Sequence, residues 1–210
     1  MYTPAHFAVD DETTRAFLSQ IEAADLVTPT ADGLVATFLP LLFDPTRGAR
    51  GSLLGHVARK NDHWRAEPTT ESLVIAYGPD AYVSPGWYAT KKEHGRVVPT
   101  WNYTTAHIYG RLHIHDDPAW VDDIVRRLTT RHEAHREHAW SVDDAPADFH
   151  AGQLRAIVGV ELVITRVEAK FKLSQNRPAA DIDGVIAGLT AEGDPASAAL
   201  VERYRRSEQP

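Results

Sequence analysis

Residues 155–172 constrain the fold of this chain more than any other stretch. The run AIVGVELVITRVEAKFK is β-branched on alternating and on adjacent positions. A strand of that length, apolar on both faces over much of its course, suits the wall of a closed barrel that touches a core inside and a helix outside. Four more strands are predicted, at 34–43, 51–58, 72–83 and 106–115. In the first, LVATFLPLLF is apolar on both faces, as strands are when two sides are covered. A DPTRG turn ends it, and Pro40 predicts an edge, a bulge or a break inside it. In the last, Ala106, Ile108, Gly110, Leu112 and Ile114 alternate with His107, Tyr109, Arg111, His113 and His115, giving one core face and one polar face.

Helices flank these strands. Asp10 or Asp11 caps the first, which carries Phe17, Leu18, Ile21 and Ala24 at helical spacing through Asp25. Asp117-Pro118 opens a second, predicted to run to Trp140 through Val121, Ile124, Val125 and Leu128. The tail predicts two short helices, the second capped by Asp194 with Pro195 at its first position. The whole reads as a mainly β α+β domain: a small barrel with flanking helices over 1–178, and a helical tail over 179–210 that packs on the domain or on a partner.

Composition removes several functions. With 43% hydrophobic and 24% charged residues in 210, the chain can bury a sizeable core. It has no cysteine, which excludes a thiolate nucleophile, a disulfide scaffold and Cys-based metal or iron–sulfur ligation. MYTPAHFAVDD lacks a basic and then apolar leader, and no apolar run reaches membrane-spanning length, so a cytoplasmic protein is expected. Lys and Arg number 22 against 29 Asp and Glu, a net −7 that argues against bulk attraction to a phosphate backbone.

The common catalytic motifs are missing. There is no G-x-S-x-G elbow, no G-x-G-x-x-G and no P-loop. His132, Glu133, His135 and His138 spell H-E-A-H-R-E-H, but a zinc-protease helix needs its two His four apart, and here the spacing is three and three. A charged helix surface with Arg127, Arg131 and Arg136 accounts for them. His113 and His115 point the same way from one strand without a third ligand, so no metal site is assigned.

Four polar and aromatic clusters at strand ends stand out instead: GHVARKN (55–61), YVSPGWYATKK (82–92), VPTWNY (98–103) and KFKLSQNR (170–177). Lys91, Lys172 and Arg177 supply cations. Ser84, Ser174, Gln175 and Asn176 supply neutral groups suited to phosphate and polyol oxygens. Trp87, Tyr88, Trp101 and Tyr103 supply planar apolar surface, and the Ser84-Pro85-Gly86 turn offers backbone N–H groups at a helix start. Each cluster alone is open to a second reading, with its aromatics packed in a core or interface and its lysines a solvated rim. Four together favour a site for a flat, anionic ligand.

These blocks, with the N-terminal MYTPAHF and AIVGVELVI, resemble the PaiB family of FMN-binding negative transcriptional regulators from end to end. PTWNY and KLSQNR are the most specific of them. The chain departs from the family pattern at Asp62, where a proline usually follows the asparagine, and at Gly86, where serine is usual. The resemblance implies an FMN-binding split β-barrel, a bacterial source and a homodimer with FMN at its interface. His56 and Asn61, the Ser84, Trp87, Tyr88 and Lys91 turn, and Thr100, Trp101, Asn102 and Thr105 would line the flavin. Lys172, Ser174, Gln175, Asn176 and Arg177 would reach the flavin of the partner subunit. Regulation by direct DNA contact finds little support: no helix-turn-helix pattern is present, and Arg126, Arg127, Arg131 and Arg136, or Arg203, Arg205 and Arg206, are interleaved with acids. A flavin-dependent oxidoreductase taking hydride from a nicotinamide is the alternative. Below it stands a haem-binding or haem-degrading split barrel, with His56 or the His132, His135 and His138 cluster as ligands.

Overall fold

A computed structural model describes residues 1–205; residues 206–210, Arg206 among them, lie outside the described part. The long β-branched run is a single 16-residue strand, β6 (Ile157–Lys172). Before it come β1 (Ala23–Thr30), β2 (Gly33–Asp44), β3 (Ser52–Ala58), β4 (Ser72–Val83) and β5 (Thr100–His115). The strands close a barrel in the order β1-β2-β3-β6-β5-β4. The pairings β1–β2, β1–β4, β2–β3 and β3–β6 are antiparallel. Closure leaves no free edge, which is why one strand can be apolar along so much of its length without inviting aggregation. Pro40 sits where β2 changes partner: it is opposite Ala23 of β1, and the next residue, Leu41, is opposite Gly55 of β3. A residue with no N–H to donate costs least at such a handover.

Among the described residues, six α-helices accompany the barrel: α1 (Asp11–Gln20), α2 (Thr90–His94), α3 (Pro118–Glu133), α4 (Ala147–Arg155), α5 (Ala179–Ala191) and α6 (Pro195–Arg203). The α6 cap is as expected, with Asp194 accepting from Ser197 N. Several boundaries differ from expectation. The first helix stops at Gln20, and Ala24 and Asp25 belong to β1, whose side chains alternate in burial with period two. The α3 helix ends at Glu133 and not at Trp140, so His135 and His138 lie beyond it and share no helix face with His132. Strand β5 begins at Thr100, six residues before the expected start, and α4 precedes β6 where a strand had been expected to begin at Arg155. The outward face of the first part of β2 is open and not covered, leaving Leu34 74% and Phe38 70% exposed, while Leu42 further along packs under α3.

The chain forms two compact units. One comprises Glu12–Ala76 and His107–Glu168. Here α3 lays Ile124 and Leu128 onto Leu54 of β3, with Leu42 and Trp120 at the margin. Arg127 of the same helix donates to Asp44 at the end of β2 (2.8 Å), which also accepts from Thr46 N and Oγ1. Burial works against the Asp44 charge, but these hydrogen bonds overcome it and hold its pKa down to about 2. The other arginines of α3 are paired as well, Arg126 with Asp122 and Asp143 and Arg131 with the Ser19 carbonyl, and Arg136, beyond the helix, pairs with Glu133 at its end.

This unit also holds a polar core. His63 is 2% exposed; its Nδ1 meets Thr37 Oγ1 and its Nε2 meets Thr28 Oγ1, both at 2.8 Å, and Thr28 continues to Ser72 Oγ at 2.9 Å. A protonated Nε2 lets every hydroxyl pass its hydrogen onward along the chain. Asn61 completes the network, accepting from His63 N and donating to Thr37 Oγ1.

The second unit comprises Met1–Asp11, Tyr77–Ala106 and Ala169–Pro210, described to residue 205. Ile182, Val185 and Leu189 of α5 and Ala198 and Val201 of α6 are buried in it, and Tyr204 meets Phe171 edge to face at 5.2 Å. Among the described residues, no helix is long and apolar enough to cross a membrane.

Burial pushes the pKa of His63, His56 and His107 below the usual 6.5, because the charged imidazolium is the form that loses solvation. Their contribution to stability is therefore complete above about pH 6.5 and is lost as the pH falls below it, and the Asp44 contribution is lost later, between about 3.8 and 2. Urea melts at pH 7.5 and 5.5 should show the lower stability at 5.5, with a smaller difference in His63→Gln. Equal stability at the two pH values would contradict the neutral buried histidines.

Candidate functional site

The second unit gathers three of the four clusters. On β5, Trp101 and Tyr103 alternate with buried Asn102 and Thr104; on the neighbouring β6, Lys170 and Lys172 flank buried Phe171, and buried Leu173 follows the strand end. Period-two geometry places each set on one side of its strand. The contacts join the sets: Lys172 Nζ donates to Thr100 Oγ1 (2.6 Å) and to the Trp101 carbonyl, and Lys170 Nζ lies 5.3 Å from the Tyr103 ring centroid. The N-terminal segment adds Tyr2 at 6.0 Å and Phe7 at 5.9 Å from the same ammonium. Trp101 is 54% exposed, and Tyr82 of β4 meets it edge to face at 6.0 Å.

Beneath this face the motifs are locked together. Asn102 and Ser174 exchange hydrogen bonds at 3.1 and 3.2 Å, both side chains buried. Ser174 has φ +68°, the left-handed conformation that ordinary residues rarely adopt, and the buried pair holds it there. Gln175 folds back on its own strand end, accepting from Leu173 N and donating to the Phe171 carbonyl, both at 2.7 Å. KLSQNR is thus a built turn whose Ser and Gln shape the backbone, while Asn176 is exposed. Arg177 follows, its guanidinium 4.4 Å from the Tyr88 ring centroid.

The charge balance of the face is its main electrostatic feature. Burial pushes the Lys172 pKa down, and repulsion from Lys170 and then Arg177 adds to it. Lys91 is exposed in α2. The helix start offered to a phosphate by the sequence is occupied from within. Ser84 Oγ accepts from Gly86 N, and Asp181 accepts from both Thr90 N and Thr90 Oγ1. Trp87 packs against α5, where a side chain on Gly188 would collide with its indole. Thr105 is buried.

The GHVARKN cluster lies in the first unit. Arg59 makes a bidentate pair with Asp116 and donates to the Arg155 and Ile157 carbonyls, and Asn61 caps the following 3₁₀ turn, so these two residues shape the segment. His56 differs, since its buried Nδ1 has no hydrogen-bond partner. Sequence reasoning placed Lys170 and Tyr82 inside its clusters without singling them out, and missed Asp181. Lys170 was legible, two residues from Lys172 on one strand face; the role of Asp181 rests on a contact 91 residues away.

Comparison with known proteins supplies the ligand. Residues 1–166 match the sequence model of a family described as "Putative FMN-binding domain". The protease synthase and sporulation protein PAI 2 of Bacillus subtilis is 31% identical over 204 residues, covering 96% of this chain and 95% of that protein. An uncharacterised protein of Emericella nidulans is 30% identical over 202 residues, 81% of this chain and 80% of its own. In structure the chain is similar to a flavocytochrome of Azotobacter vinelandii (TM-score 0.57, 16% identity, 77% of this chain and 67% of that one). It is also similar to a conserved hypothetical protein of Mycobacterium tuberculosis (TM-score 0.55, 12% identity, 85% and 94%). At those identities the likeness is one of fold, the split barrel.

The residues present fit FMN. A phosphate calls for cations, and Lys172 with Lys170 and Arg177 provides mutually repelling positive charge. A flat ring calls for exposed planar surface, which Trp101 and Tyr82 provide. On this sequence match, fold and site chemistry, the chain belongs to the PaiB family of FMN-binding split-barrel proteins, with FMN as its cofactor.

Proposed function

We propose that the face carrying Trp101, Tyr103, Lys170 and Lys172 takes the FMN, with Lys172 and Arg177 holding the phosphate and Trp101 lying against the ring. The carrying observation is the cationic cluster around Lys172, where burial and like charge together weaken the ammonium in the free protein. A bound dianion relieves that repulsion, so phosphate affinity is gained where charge is already in place. Trp87, Tyr88, Asn102, Ser174 and Gln175 act by holding the segments in position, and Lys91, Asn176, Thr100 and Thr105 belong to their margins. FMN supplies the redox chemistry when bound. In a chain without cysteine, electron transfer runs through that cofactor and not through a thiol.

We infer further that the protein is a homodimer with FMN at the interface, and that any repression of transcription is indirect. The exposed Leu34 and Phe38 of β2 support association, since apolar side chains that stand this far into water favour a partner surface. The ion pairing of Arg126, Arg127 and Arg136, and of Arg205 with Asp183 and Glu202, supports the indirect route, because these charges are already neutralised. The sporulation role named for the Bacillus relative is compatible with it.

Flavin fluorescence titration tests the phosphate assignment. FMN should bind more tightly than riboflavin, and Lys172→Gln should weaken FMN by about ten- to a hundredfold, the range for losing one charge-assisted hydrogen bond, while changing riboflavin little. Equal affinity for the two flavins would remove the assignment. Sedimentation of the flavin-loaded protein should give a dimer. Mobility shifts with promoter DNA at physiological salt should show no binding, and a salt-sensitive shift would overturn the indirect reading.

A further inference from the structure

Helix α5 presents Asp181, Gly184 and Gly188 at spacings of three and four, so they line one face. All three meet the segment 87–90. A Cβ on Gly184 would lie 2.0 Å from the Trp87 carbonyl oxygen, and one on Gly188 would lie 2.2 Å from its indole, so only glycine admits the segment at these two positions. Asp181 is 0% exposed, and its two carboxylate oxygens accept from Thr90 N and Thr90 Oγ1, each at 2.9 Å. Burying a carboxylate is costly unless it is well hydrogen-bonded, and here both oxygens are committed to one residue, the neighbour of Lys91. Arg177, at the end of KLSQNR, grips the same segment through the Tyr88 ring. The helix begins at Ala179, past residue 166 where the family match ends.

We propose that Asp181 is a positioning residue for the flavin site, fixing the Trp87–Lys91 segment from a helix outside the matched domain and thereby setting the affinity for FMN. The inference rests on the FMN reading given above. Its carboxylate acts through hydrogen bonds to Thr90, so an amide that keeps a hydrogen bond there preserves the function and a methyl group abolishes it.

The test uses the full chain and FMN, with flavin fluorescence and the visible absorption band as readouts and the melting of the flavin-free protein followed in parallel. Asp181→Ala and Thr90→Val should each weaken FMN binding about tenfold and shift the visible band, whereas Asp181→Asn and Thr90→Ser should recover most of the affinity. Thr90, only half-buried, keeps the test open should Asp181→Ala fail to fold. Unchanged affinity in Thr90→Val, or a loss in the Asn and Ser variants as large as in the others, would overturn the proposal. Lys172→Gln separates the two levels. If it weakens FMN while the Asp181 and Thr90 variants do not, the flavin site stands and the positioning role falls. If Lys172→Gln has no effect either, the flavin reading falls and takes this inference with it.

Discussion

The hydrogen-bonded joint between the start of β5 and the end of β6 carries the rest of the site. Asn102 and Ser174 are both buried and satisfy each other across 72 residues of sequence, and the same joint lets Lys172 reach Thr100 and the Trp101 carbonyl. A buried amide with no partner would cost more than its hydrogen bond contributes, so the pair specifies a register as much as it stabilises one. That register aligns two lysines and two aromatic residues on one side of adjacent strands. It also holds Ser174 in a conformation from which the chain turns toward α5.

Charge is distributed unevenly. The net −7 is made up of many residues already paired, the α3 arginines Arg126 and Arg127 with Asp44, Asp122 and Asp143, and Arg136 with Glu133, among them. Around Lys172 the pattern reverses: the charges that act on it are positive, and they act against its own protonation. Positive charge gathered in this way on an otherwise acidic protein is suited to an anionic ligand. The polar core around His63 is neutral by contrast, and its role is to fix β1, β2 and the turn after β3 with hydrogen bonds that need no charge.

Much of this was legible in the amino-acid sequence where the information is local. The length of β6, the bounds of β4 and the cap of α6 follow from β-branching, alternation and Asp194-Pro195. Strand β1 was not legible, because Ile21 and Ala24 continue the helical spacing of α1 while Asp25 and Pro29 weaken the strand signal. Only pairing with β2 and β4 decides the matter. The motif residues were identifiable as a group, but not their division of labour. Gln175, Asn61 and Trp87 read in the sequence as ligand groups, and the fold gives each a partner within the protein: backbone for Gln175, backbone and the Thr37 hydroxyl for Asn61, a helix face for Trp87. Asp181 looks like an ordinary first-turn acid of a helix, and only a contact 91 residues distant shows otherwise.

The central claim is that the positive charge gathered around Lys172 is what the flavin phosphate occupies. Nuclear magnetic resonance titration of the lysine side chains, with and without FMN, measures this at the atom concerned. Lys172 should titrate below the ordinary lysine range in the free protein and move upward when FMN is bound, with riboflavin producing a much smaller change. A Lys172 ammonium whose titration is the same with and without FMN would contradict the account.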